Sequence, residues 1–439
     1  MYKKRLYNLI FGNTIGHNIF YALLYILLFD YMWEHFESVY YAYEGIIYND
    51  DFNRKIIGFF FALYPICFYR GMKNISSWIS ILIYYFGYVP IIMGLCLDLP
   101  SNTPHEVQLY YIVLSMSMCA FFIADRKSIK FNTSTKKKMN VKIVWILAGI
   151  LTIALFVTFR HNMRIANFQD IYQLREENSS LDVTGIGYIY GWCSSFFYPF
   201  IFCYGLIMRK KIYIYLGSFL FIFLYSIMGQ KGDLFAPLIL YSLYYVFKWQ
   251  DKQKTNVMGP ITLGILLFSI LIFINIDTVW GIGAGAIFFS RTLGVTAYHM
   301  PMYLDFFQNN PYTYFSHINF INLFTQSYPY KESIGAMVAG EEGVVSNAIF
   351  WQMDGVASCG VLGCIIISII VYYFLLLLNG LGGSKTKYFI YLLLLSPLSA
   401  LLNVSFFTTF LSKGVFFIFL TIYFVNLPFA NNSGKHSFN

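Results

Sequence analysis

Twelve stretches of this chain are apolar for long enough to cross a lipid bilayer, and no other feature limits its possible folds so severely. They lie at about 11–31, 56–70, 78–97, 108–124, 141–159, 186–208, 212–228, 234–248, 258–276, 356–378, 388–404 and 408–427. A span needs roughly 20 apolar residues as helix, because hydrocarbon offers the backbone no hydrogen-bond partner and only internally bonded structures survive there. The expected fold is therefore an all-α integral membrane protein, one polytopic domain over residues 1–439. Composition agrees. Charged residues make up 12% of the chain, where soluble domains carry about 25%. That excludes an ordinary soluble protein, a disordered one and a nucleic-acid binder. Pro65, Pro90, Pro199, Pro237 and Pro397 fall inside spans and are expected to kink them.

Charge sets the orientation. With the N-terminus cytoplasmic, the cytoplasmic gaps hold 21 of the 30 basic residues, against only Asp125 and Asp251 among the acids. The positive-inside rule then holds at every alternate loop. An odd error in counting spans would break that alternation, so twelve helices with both termini inside is the consistent reading. Lys3, Lys4 and Arg5 precede a long apolar stretch with no small-residue cleavage site after it, so the first helix is expected to stay in the membrane. The seven cysteines sit in or beside apolar runs and read as packing residues, with neither metal spacing nor a disulfide framework.

The cations that topology does not require are Arg54, Lys55, Arg160, Arg164, Arg175, Lys231, Arg291, Lys331 and Lys413, on or near the outer side. Two large outer segments are expected, at about 160–185 and 277–355. The second, between helices 9 and 10, is too long for a simple turn and should contain helices or re-entrant pieces. Arg160 and Arg164 would share a helix face if the fifth span continued, and could clamp a diphosphate or anchor the helix among headgroups. Arg175 precedes Glu176 and Glu177, natural ion-pair partners. In Gln230-Lys-Gly-Asp233, Lys231 either pairs with Asp233 or reaches a phosphate as a point charge.

The stretch from Phe288 to Pro301 reads as a helix closed by the proline, with Arg291 and His299 two turns apart on it. His299 could act as general base to a sugar hydroxyl or be a structural core histidine. Gly281, Gly283 and Gly285 lack a dinucleotide-binding context and suggest a flexible or re-entrant loop. Lys413 stands inside the last span, either facing a polar cavity or snorkelling to the surface. Asp354 is the best-placed acid of the long loop. The histidines, His317 among them, show no metal-ligand spacing, and no cofactor is expected.

These features together resemble the O-antigen polymerases, the Wzy-type enzymes. The resemblance rests on a many-span layout with one dominant outer loop between late helices, and on Gly229-Gln-Lys-Gly232 followed by Leu234-Phe-Ala-Pro-Leu-Ile-Leu240. Arg291 before an aromatic-rich helix, and Asn347-Ala-Ile-Phe-Trp-Gln-Met-Asp354 running into Gly360-Val-Leu-Gly363, complete it. The Arg-x10-Gly repeats of some members are absent here. The resemblance implies a glycosyltransferase-type polymerase, working without a metal on undecaprenyl-diphosphate-linked oligosaccharides at the outer face of a bacterial inner membrane. It also implies a flippase and a chain-length regulator of the same pathway as partners. It would use Arg160, Arg164, Arg291, Lys231 and Lys413 for the diphosphate, and His299 or Asp354 as base. A flippase of the same lipid-linked repeats and an O-antigen ligase are the rival readings.

Overall fold

The structure, a computed structural model, describes residues 10–42, 45–98, 107–129, 138–165, 170–179, 181, 183, 185–253, 256–340, 348–381 and 384–429. The cationic stretch Lys3–Arg5, Lys136, Lys137 and Asn347 lie outside the described residues. The described chain is almost wholly helical, and seven of its helices are long and apolar enough to cross a membrane. They are Ile15–Tyr40, Ile75–Leu97, Val107–Ala124, Lys142–Phe159, Ile186–Met208, Lys211–Met228 and Trp351–Gly380. An eighth candidate is the pair Phe406–Ser412 and Val415–Phe424, bent by 52°.

The other expected spans are also helical, but they are shorter, broken or less uniformly apolar than these. Phe52–Leu63 passes into a tight 3-10 turn at Pro65. Lys231–Gln253 carries charge at both ends, Met258–Ile274 is shorter, and the penultimate segment divides into Ser384–Leu393 and Leu395–Leu401.

Contacts divide the chain into two compact units. The first comprises Met1–Ser128, Lys254–Asn379 and Leu401–Phe407; the second comprises Ile129–Gln253, Gly380–Ala400 and Thr408–Asn439.

In the first unit, helices Ile75–Leu97 and Val295–Asn309 pack around two prolines. Pro90 has no N–H for the Phe86 carbonyl, and the Thr296 hydroxyl donates to that oxygen at 3.2 Å. Pro301 in turn frees the Ala297 carbonyl, which presses on Gly94: a Cβ there would stand 2.3 Å from the oxygen. Pro301 therefore lies inside its helix instead of closing it, because each freed carbonyl is accommodated by the facing helix. Pro90 and Pro199 each follow a π-helical segment, Tyr84–Tyr88 and Cys193–Phe197. The widened turns give the proline rings the room that an α-turn lacks.

Polar side chains tie both ends of this unit. At the end expected to be cytoplasmic, Asp125 accepts from the Asn74 amide at 2.8 Å and from the Ser77 hydroxyl, capping Ile75–Leu97. Asn379 donates to Ser76, Ala124 and Lys127 there. At the opposite end, Asp98 accepts from the Ile47 amide at 2.8 Å.

Burial pushes the Asp98 carboxyl up to about 7 from an ordinary 3.8. The folded state then holds a proton that the unfolded chain releases, so stability is lost as pH rises from about 4 to about 7. Asp98→Asn keeps an acceptor without the charge. In thermal unfolding of the purified protein it should match the parent at pH 4 and exceed it by about 2–4 kcal/mol at pH 8. Equal stability at pH 8 would show that the carboxylate is not strained by burial.

The second unit is built from antiparallel neighbours on very short connections. Arg209 and Lys210 join Ile186–Met208 to Lys211–Met228, and Gly229 and Gln230 join that helix to Lys231–Gln253. Arg209 and Gly229 both take left-handed backbone at these turns (φ 54° and 57°). Met139–Asn140 pairs in parallel with Val425–Asn426.

Candidate functional site

In the first unit the long loop converges on Asp354. The segment Trp351–Val356 is π-helical and leads into Ala357–Gly380, which breaks at Cys359 and Gly360. Gly360 has φ +60°, and a Cβ there would stand 2.9 Å from the Tyr312 hydroxyl, so glycine alone fits the break. The Thr313 and Tyr314 amides bond the Ala357 and Ser358 carbonyls at 2.8 and 3.0 Å, laying the loop across this helix start.

Asp354 is fully buried. Its carboxylate accepts from the Ser405 hydroxyl at 2.5 Å, the Phe406 amide at 2.6 Å and His317 Nε2 at 3.1 Å. The other ring nitrogen of His317 lies 2.9 Å from the Thr313 hydroxyl, and that hydroxyl also reaches the Ala357 carbonyl at 3.0 Å. An ionised carboxylate only accepts, so Nε2 carries a proton. This is a carboxylate–imidazole pair shielded from water, able to hold a proton or pass it on.

Arg291 and His299 do not share a ligand face. Ala286–Gly294 winds as a π-helix, so α-helical spacing fails between them. Arg291 is exposed, whereas His299 is buried beside Tyr298. The Ser290 hydroxyl next to Arg291 donates to the buried Glu37 at 2.9 Å. Gly281, Gly283 and Gly285 lie in a short helix, Val279–Gly285, capped by the Thr278 side chain, and not in an open loop.

In the second unit, helix Lys142–Phe159 ends before Arg160, so Arg160 and Arg164 do not continue it as one face. The Arg160 Nε donates to His161 at 3.0 Å. Arg164 makes a two-pronged pair with Glu177 at 2.6 and 3.1 Å, which holds the Glu177 carboxyl below its usual range. Arg175 donates to the Met228 and Gly229 carbonyls at 3.0 and 3.2 Å, and Asn178 to Ile227 at 2.6 Å. Helix Ile171–Ser179 is thus strapped to the orphan carbonyls of helix Lys211–Met228.

Lys231 is exposed at its helix start, while Asp233 turns inward and accepts from the Tyr190 hydroxyl. Lys413, partly buried, stands at the break between Phe406–Ser412 and Val415–Phe424, close enough to Asp233 to act on its charge.

Sequence reasoning singled out Asp354 and Lys413 but missed their surroundings: His317 and Ser405 at Asp354, and Tyr190 with Asp233 near Lys413, Asp233 reading in the sequence only as a partner for Lys231. Only the Thr313-x3-His317 spacing was available as a signal, and it is too common to be informative. Among the described residues no group of histidine, cysteine and acidic side chains is arranged to hold a metal ion. No protein-family model, curated protein or solved structure matches the chain.

Proposed function

We propose that this protein polymerises undecaprenyl-diphosphate-linked oligosaccharide repeats at the outer face of a bacterial cytoplasmic membrane, through twelve helices with both ends inside. The observation that carries the reading is the buried Asp354–His317 pair at the start of an apolar helix, in the loop that charge assigns to the outer side. In the reaction, a sugar hydroxyl of one lipid-linked repeat attacks the anomeric carbon of the lipid-linked chain. The bond from that carbon to the diphosphate breaks, and the hydroxyl proton passes to a base. Asp354 with His317 is the base we favour, and His299 is the second candidate. Arg291, in the same unit as that base, supplies positive charge to the departing diphosphate, where charge develops in the transition state; Arg160, Arg164, Lys231 and Lys413 of the second unit are the cations there that a lipid-linked diphosphate can meet. Arg164 must exchange Glu177 for the diphosphate to do so.

One feature favours a flippase instead: a lysine at a helix break facing an aspartate is a transporter-like arrangement. Deletion in the native host, with surface glycolipids separated on a gel, tests the choice. Carriers capped by a single repeat, with the ladder restored by the gene, support polymerisation. Absence of any surface repeat supports the flippase. Full-length polymer held only on the lipid carrier supports a ligase.

A further inference from the structure

The second unit contains a cation whose surroundings the base chemistry does not use. Lys413 lies in the break of a bent apolar helix pair, followed by Gly414 in left-handed backbone (φ +67°). Three consecutive residues of helix Ile186–Met208 build the wall around that break. The Trp192 indole donates to the Leu411 carbonyl at 2.8 Å. Gly191 lets the backbone close on the Ser412 carbonyl, since a Cβ would stand 2.4 Å from it. Tyr190 donates to Asp233. Among the described residues, no hydrogen bond or ion pair reaches the Lys413 ammonium; its relation to Asp233 is electrostatic and at longer range.

A partly buried ammonium with three donors and no direct acceptor is costly. Asp233, itself held by Tyr190, offsets that cost without consuming the donors. A phosphate group offers what is missing, namely negative charge and several acceptor oxygens in one compact body.

We propose that Lys413 anchors a phosphate-binding site in which Asp233 is the resident counter-charge, so that a phosphate ester at the membrane surface competes with Asp233 for the ammonium. Tyr190 sets the position of the competitor. Such a site binds and releases, because the carboxylate regains the lysine when the ligand leaves. For the identity of the lipid carrying the phosphate, the proposal rests on the polymerase reading; a phospholipid headgroup presents the same chemistry.

The test is equilibrium binding of radiolabelled inorganic pyrophosphate to the full chain in phosphatidylcholine nanodiscs. Lys413→Ala should weaken binding at least about tenfold, Lys413→Arg should largely retain it, and Asp233→Asn should tighten it about tenfold by removing the competing charge. Tyr190→Phe, which frees Asp233 without deleting it, should change the affinity in a protein whose charge is intact. Lys413→Ala binding like the parent, or a folded Asp233→Asn protein binding no tighter, would overturn the proposal. Should Asp233→Asn fail to fold, the two lysine variants decide.

Repeating the titration in phosphatidylglycerol nanodiscs separates the sources. A several-fold weaker apparent affinity that Lys413→Ala removes identifies headgroups as occupants, whereas equal affinity in both lipids excludes them and leaves a phosphate ester other than the bulk headgroup as the ligand. Binding is read without glycosyl transfer, so its failure and the failure of the polymerase reading are separate results.

Discussion

Asp354→Ala is expected to eliminate the polymer ladder and to destabilise the protein by about 3–5 kcal/mol, the cost of breaking a buried charged pair from one side. The loss has two parts because Asp354 ties three separate stretches together: the His317 loop, its own π-helical turn and the Ser405–Phe406 corner. Asp354→Asn separates them. It keeps the shape and one acceptor but abolishes the negative charge, so protein should accumulate in the membrane while polymer does not form. His317→Gln retains hydrogen bonding at that position without a titrating ring. It should leave the protein folded while polymer fails to form, since an amide cannot take up the hydroxyl proton. The readouts are protein level by immunoblot, thermal unfolding and the glycolipid gel. A full ladder from a stably accumulated Asp354→Asn protein would reduce the carboxylate to a structural tie.

Alanine at Arg291 or Arg160 is expected to cut polymerisation by about a hundredfold or more, with protein amounts unchanged. Both side chains are exposed, so little packing is lost. Removing one charged donor to a developing anion typically costs about 10²–10³ in rate. Arg164→Ala should act more weakly on rate, because the parent side chain must first leave Glu177. An exposed pair of this kind is screened by solvent and contributes little, so its loss should leave stability nearly intact. Equally expressed Arg291→Ala and Arg160→Ala proteins that still make full-length polymer would refute the assignment of these arginines. Lysine at either position should restore part of the activity, since it returns the charge but not the two-pronged geometry.

What the amino-acid order determines by itself is everything that depends on near neighbours. Apolar runs such as 75–97 and 186–208 become helices because lipid permits nothing else, and Arg209-Lys210 and Gly229-Gln230 turn the chain because two residues leave no other course. Asp354 stood out for the same local reason, as an acid just ahead of an apolar helix. The prolines were legible as disturbances, but their outcome was not. Pro301 stays inside a helix where Gly94, some two hundred residues earlier in the chain, leaves room for the carbonyl it frees. Helical spacing placed Arg291 and His299 on neighbouring faces, and the π-helical winding of Ala286–Gly294 undid that arithmetic. The partners of Asp354 lie 37 and 51 residues away in the chain, and no periodicity links them. Tertiary structure alone decided those pairings, because a buried carboxylate must take whatever donors the packed helices deliver, and only packing brings His317 and Ser405 to it.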